Sequence, residues 1–334
     1  MNISAIEPIS RAWDTMVRVL FKPMEVRKWL TLGFCAFLAY LGGVGGGHIG
    51  VPGGGGGGGS GGGTQGSTGA GDWVQSHLIL VAGIVIGVLA VMLALVALVH
   101  WLQSRGKFMF LDGVAHNRGR VVQPWKEHRA LGNSLFRFQM LMLLLMIAAV
   151  LATLAVCGAL SWAELEAGRF GQRSLAAMVL LVVMATLIAL AYLTVQLLVE
   201  DFMVPAMYRQ EITAREAWRR VWGQVIRGHL WPVTLFYLMR YVLSMAASML
   251  VLMTCCMTCG LVLLPYVGTV VILPILVFQR AYSLHFLEQY GSDWRVFPLP
   301  DAPMCPACGY DLRGNPDAIT CPECGEPLTQ PQQA

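Results

Sequence analysis

Polar positions divide the chain into six apolar runs, at residues 30–45, 77–103, 138–162, 175–199, 231–253 and 261–286. A helix needs roughly 17–25 apolar residues to cross a bilayer, and each run reaches or approaches that length. The pattern predicts six membrane-crossing helices, the first running out into glycine. Ahead of them, Ile6, Ile9, Trp13, Met16, Val17 and Leu20 recur at helical spacing, while Arg11, Asp14 and Arg18 share the opposite side. Pro8 suits an early helix position and Pro23 ends the run. Residues 1–28 are therefore expected as an amphipathic helix in the membrane interface, with Asp14 and Arg18 near enough to pair. A helix packed on the loops beside it is the alternative.

Glycine dominates residues 42–71. A phosphate-cradling loop needs a strand before it, a helix after it and usually a lysine; no lysine or arginine is near. A flexible linker outside the membrane is the expectation. The first apolar run begins only at Leu30 and no small-residue cleavage pattern follows it, so a removable signal peptide is not expected.

Composition supports lipid over one oversized soluble core. Only 13% of the 334 residues are charged and 56% are hydrophobic, against about 25% and 45–50% in soluble domains. Lysine and arginine then orient the helices. They crowd before run one and between runs two and three and runs four and five. The 46–76 and 254–260 connections have none, and the 163–174 connection has only Arg169 and Arg173, offset by Glu164 and Glu166. Loops rich in cations stay in the cytoplasm. The fold class expected is an all-α polytopic membrane protein of about six transmembrane helices, both termini cytoplasmic, in the cytoplasmic (inner) membrane. Residues 29–300 form its membrane domain, with the lipid bilayer as its first partner.

Charges within or beside the runs are the candidate functional groups. Arg240 lies about ten residues into the fifth run, and Glu200 and Asp201 end the fourth. A membrane-buried charge is costly and wants a partner or an aqueous cavity; Glu200, Asp201 or Glu288 can supply one, unless Arg240 snorkels to the interface. Arg280 is near enough to the end of run six to snorkel. Pro265 and Pro274 suggest a broken helix there, as transporters use. His116 and His128 read as polar surface groups of the basic 104–137 connection, and Thr213 with Glu216 has capping-box spacing. His285 and Glu288 lie one turn apart, with no second pair to complete a metal site. None of the apolar runs contains HExxH or GxSxG.

Cys305, Cys308, Cys321 and Cys324 form C-x2-C-x12-C-x2-C at residues 301–328. Two such turns complete a four-thiolate shell around one ion, and a segment this small needs the ion to fold. Structural Zn2+ is expected, with iron and disulfides as alternatives. A closed four-thiolate site leaves no position for substrate. Arg313 is the only cation of this segment, against Asp301, Asp311, Asp317, Glu323 and Glu326. Nucleic-acid binding is therefore disfavoured, and a cytoplasmic protein partner or the chain's own basic loops suit it better. Residues 329–334 are expected as a disordered tail. Cys35 and Cys157 read as packing residues. Cys255, Cys256 and Cys259 read as packing at a tight turn, with an external redox pair or metal site as the alternative.

The segment CPACGYDLRG…CPECG resembles a zinc ribbon appended to many unrelated bacterial proteins. The stretch VEDFMVPAMYRQEITAREAWRRVW, an acidic pair followed by a short xxAxEAWRR helix, resembles the membrane domains that accompany glycerophosphodiester phosphodiesterases, and uncharacterised bacterial six-span proteins similar to them. The N-terminal RAWDTMVRVLFKPMEVRKWLTLGFCAFLAYLG looks like the opening of one such uncharacterised family. This resemblance implies a fold for residues 1 to about 297, and no phosphodiesterase activity, because the catalytic barrel is a separate domain. Three function classes remain: a non-enzymatic scaffold or regulatory protein, a transporter of a small molecule or lipid using Arg240 and the Glu200–Asp201 edge, and a lipid-headgroup enzyme. The first is the reading the sequence favours.

Overall fold

The computed structural model describes residues 3–22, 24–41, 78–119, 121–166, 170–257 and 265–297, together with 305, 307, 320–321 and 324–327. The glycine-rich linker, Cys308, Cys259 and residues 329–334 lie outside them. Helix α1 spans Glu7–Phe21, α2 Val26–Ala39, α3 Leu78–Ala115, α4 Val122–Glu127, α5 Arg129–Glu166 and α6 Gln172–Leu198. A π-turn at Val199–Met203 joins α6 to α7, Val204–Gln210; α8 is Ala214–Arg220, followed by a second π-turn at Val221–Ile226. Helices α9 Leu230–Met257, α10 Pro265–Val271 and α11 Leu273–Glu288 complete the bundle.

Four stretches among the described residues are helical, long and apolar enough to cross a membrane: Ile86–Ala115, Arg129–Trp162, Gln172–Gln210 and Leu230–Met257. The other two expected crossings take a different form. Helix α2 has 14 residues, which at 1.5 Å per residue is about 21 Å, short of a hydrocarbon core of about 30 Å. The last run is divided: α10 ends at Val271 and α11 starts beside Pro274, which an opening turn tolerates because its missing N–H has no helical acceptor there. The break expected from the prolines is thus present.

Packing is concentrated at one end of the bundle. Phe108, Leu111, Leu135, Phe202, Val204, Met207, Ala217, Val221, Phe236, Tyr282 and Phe286 are buried together there, and Met16, Leu20, Leu32, Phe110 and Val277 form an adjoining cluster. The opposite halves of α3, α5, α6 and α9 leave Ile86, Leu89, Leu151, Leu187 and Met249 exposed. Contiguous apolar surface on that scale is unfavourable in water and suited to acyl chains.

Helix α1 is amphipathic as expected, and Ala12, Met16, Val19 and Leu20 are covered by protein. Its cover includes α11: Tyr282 Oη donates to Ala5 O at 2.9 Å, and Ser4 and Gln289 exchange hydrogen bonds of 2.7 and 2.8 Å. Arg11 pairs with Glu7 at 2.7 Å, so the expected Asp14–Arg18 pair is not the one made. Both ends of the helical domain therefore meet at the packed end of the bundle.

Candidate functional site

The most heavily charged part of the core is built from four elements. The π-turn after α6 holds Glu200 and Asp201, which are 2% and 1% exposed. A π-turn adds a residue to the helical repeat, rotating the side chains that follow, and such turns are frequent at functional sites. Helix α9 contributes Arg240, α11 Arg280 and α3 Lys107, all buried. Arg240 Nη1 lies 2.5 Å from Asp201 Oδ1. Arg280 Nη1 donates to the Glu200 carbonyl oxygen at 2.8 Å. Lys107 is within electrostatic reach of Glu200, Asp201 and Arg280.

Three cations and two carboxylates thus share one layer, and aromatic rings cover it. Phe202 packs on Phe236 at 5.4 Å between centroids, and Phe236 stacks on Tyr282 at 5.0 Å and on Phe286 at 4.4 Å. Desolvating a charge costs several kcal/mol, so these ions persist by compensating one another. Glu200 Oε1 and Arg280 Nε and Nη2 are buried and have no hydrogen-bond partner among the described residues. Nearby polar pairs extend the layer: Ser104 Oγ donates to Gln139 Oε1 at 2.9 Å, and Gln279 Nε2 to Ser244 Oγ at 3.3 Å.

Of the three acids proposed for Arg240, the chain uses Asp201. Glu288 instead meets Arg295 Nε at 2.5 Å and His285 Nδ1 at 3.2 Å. Arg240 does not snorkel, and neither does Arg280, which is 3% exposed. Lys107 escaped notice in the sequence because it stands in a cation-rich connection; the apolar run 108–111 directly after it was the available signal. The Thr213–Glu216 capping box is not made. Ala214 N donates to Ser134 Oγ of α5 at 3.0 Å, and Glu216 pairs with Arg220 at 2.6 Å, so a tertiary contact replaces the local cap.

The second candidate site lies in the tail. The sulfurs of Cys305, Cys321 and Cys324 all fall within 4.8 Å of one another, with Cys305 and Cys324 3.6 Å apart. Ligands about 2.3 Å from a tetrahedral Zn2+ stand about 3.8 Å from each other, so these three fit one ion. A turn sets two of them: Gly325 N donates to Cys321 O at 2.8 Å, and Gly325 has φ +73°, where a Cβ would be strained. Cys321 N donates to Glu326 O at 2.9 Å. Elsewhere, Cys35 and Cys157 are buried as expected of packing residues, while Cys255 is half-buried and Cys256 exposed.

Residues 3–287 match the model of a family of unknown function, DUF7544. The matched region holds the charged layer and stops short of the cysteine cluster. No curated protein and no solved structure matches the chain.

Proposed function

We propose that this chain, which belongs to that family, is a non-enzymatic scaffold or regulatory protein of the bacterial cytoplasmic (inner) membrane, with a zinc ribbon as its cytoplasmic interaction module. The observation that carries the reading is the Asp201–Arg240 pair, 1% and 7% exposed at the side chain. Charges that neutralise one another inside a packed layer tie helices together rather than receive a substrate. The meeting of Ser4 with Gln289 at one end of the bundle supports an even number of crossings. The cation-rich connections, which include Arg118, Arg215 and Arg220, support assigning that end to the cytoplasm. Thiols there stay reduced, which favours a thiolate-bound ion in the tail over disulfides. The likeness to the membrane domains that accompany glycerophosphodiester phosphodiesterases enters this reading as one of fold alone.

The test is affinity capture from solubilised membranes. Cys321→Ser loses cytoplasmic partners, whereas a chain with the charged pair replaced as Asp201→Leu/Arg240→Met retains them. Equal recovery by Cys321→Ser and the native chain would defeat the interaction role. One observation favours a second reading, transport of a small molecule or lipid: two carboxylates ride on a π-turn beside guanidinium nitrogens that have no hydrogen-bond partner among the described residues. Transport in reconstituted vesicles that disappears in the double replacement would select it.

A further inference from the structure

Arg105 of α3 stands where the lipid-suited surface of the bundle gives way to its packed end. Leu89, Leu95 and Leu98, earlier on α3, are exposed, whereas residues 103–111 are buried. Trp101, one turn before Arg105, and Trp125 of α4 meet edge to face, with ring centroids 5.9 Å apart and planes at 87°. The guanidinium sits in the corner they form, its Cζ 4.4 Å from the Trp101 centroid and 4.9 Å from that of Trp125. The opening turn of α5 packs against the same side chain. A Cβ on Gly132 would stand 2.9 Å from Arg105 Cγ, and Asn133 Oδ1 accepts from Arg105 Nη2 at 3.2 Å.

What this corner lacks is an anion. Arg105 is 7% exposed, and its Nε is buried without a hydrogen-bond partner among the described residues. The charged neighbour that acts on it is another cation, Arg129, which is exposed. The acids of the three helices are engaged elsewhere: Asp112 accepts from Tyr208 Oη at 2.6 Å and Glu127 from Gln123 Nε2 at 2.8 Å, while Glu164 and Glu166 lie at the far end of α5. Contact with the indole rings offsets part of the desolvation of a guanidinium, but its in-plane N–H groups still call for a carboxylate or phosphate. The N-terminus of the 38-residue α5 adds partial positive charge on the same side.

Tryptophan and arginine at the edge of an apolar surface suit headgroup depth, and basic pockets between membrane helices hold anionic headgroups. A zwitterionic headgroup would bring its own ammonium into a corner that has no carboxylate to receive it. We propose that Trp101, Arg105, Trp125 and Arg129 form a site for the phosphate of a net-anionic membrane lipid. The site rests on α3 crossing the membrane and is independent of the scaffold role.

Native mass spectrometry of the full chain, freed of lipid in detergent and titrated with phosphatidylglycerol or with phosphatidylcholine, tests this. The native chain should prefer phosphatidylglycerol. Arg105→Gln should weaken that binding by about 10–100-fold and Arg129→Gln by about 5-fold. Arg105→Lys keeps the charge and loses the planar fork, so it should fall between the native chain and Arg105→Gln. Equal uptake of the two lipids by the native chain, or a preference untouched in both Arg105→Gln and Arg129→Gln, overturns the proposal. Displacement of the lipid by inorganic phosphate would assign the corner to free phosphate and overturn it as well. A photoreactive phosphatidylglycerol crosslinked to the native chain needs no variant to fold. Its label should fall within residues 101–133, and label confined to other segments also overturns the site. Capture with Cys321→Ser reads the scaffold role separately, so either can fail without the other.

Discussion

Replacing Arg240 by methionine strands Asp201 in a layer from which water is excluded. Unit charges 2.5 Å apart attract by about 7 kcal/mol at an effective dielectric of 20, and desolvation of both groups offsets most of that gain. The asymmetry is what an experiment can read. Removing one partner of a buried pair costs about 3–5 kcal/mol, whereas replacing both by apolar groups is close to neutral. Lys107 and Arg280 remain near Asp201 in the Arg240→Met chain, which places that variant at the lower end, about 3 kcal/mol. Asp201→Leu leaves three cations facing Glu200 alone, which places it nearer 5 kcal/mol. Asp201→Leu/Arg240→Met should stay within about 1 kcal/mol of the native chain. Thermal unfolding in detergent, followed by tryptophan fluorescence, would then show drops of roughly 6–20 °C for the singles, at about 2–4 °C per kcal/mol, and near-recovery in the double. Single variants melting with the native chain, or a double as weak as the worse single, would refute the assignment of these charges as a mutually neutralising pair.

Three further outcomes are expected. A Cβ on Gly106 would stand 2.5 Å from Ala39 N and 2.6 Å from Leu38 C, backbone atoms that cannot turn aside; Gly106→Ala should destabilise by about 1–3 kcal/mol, whereas Gly87→Ala, with nothing within 4 Å, should not lower the melting temperature. Glu164 caps α6, accepting from Ser174 Oγ and from the Ser174, Arg173 and Gly171 amides, and the Ser174 bonds foremost bring its pKa from 4.5 down to about 2. A depressed carboxylate stabilises above its unfolded pKa and loses that contribution as pH falls through the folded one. Protection of the Arg173 and Ser174 amides from hydrogen exchange should therefore weaken between pH 4.5 and about 2, and that dependence should vanish in Glu164→Gln. Chelation should release one ion from the tail and expose it to limited proteolysis, with the helical domain still intact; resistance unchanged by chelator would speak against metal-driven folding of the tail.

Much of the architecture was legible because its cause is local. A run of apolar residues forms a helix wherever the backbone must satisfy its own hydrogen bonds, so α3, α5, α6 and α9 stand where the pattern put them. The proline-marked break before α11 and the turn that carries Cys321 and Cys324 are equally local, since φ restriction and ligand spacing act within a few residues. Partner choice is different. Asp201 rather than Glu288 meets Arg240 because the π-turn rotates Asp201 inward, and no propensity in VEDFM announces that turn. The Thr213–Glu216 spacing promised a capping box, yet Ser134, 80 residues away in the chain, takes the first amide.

Hydropathy, charge alternation and cysteine spacing by themselves determined a helical, lipid-suited chain with a tail whose cysteines could hold a metal ion, because each depends on residues close together in sequence. Only the folded bundle decided that Lys107, Glu200, Asp201, Arg240 and Arg280 occupy one buried layer, and that Trp125 and Arg129 close on Arg105. Those groupings arise from helix register and crossing, which depend on packing between segments distant along the chain. Single-residue properties leave that packing undetermined.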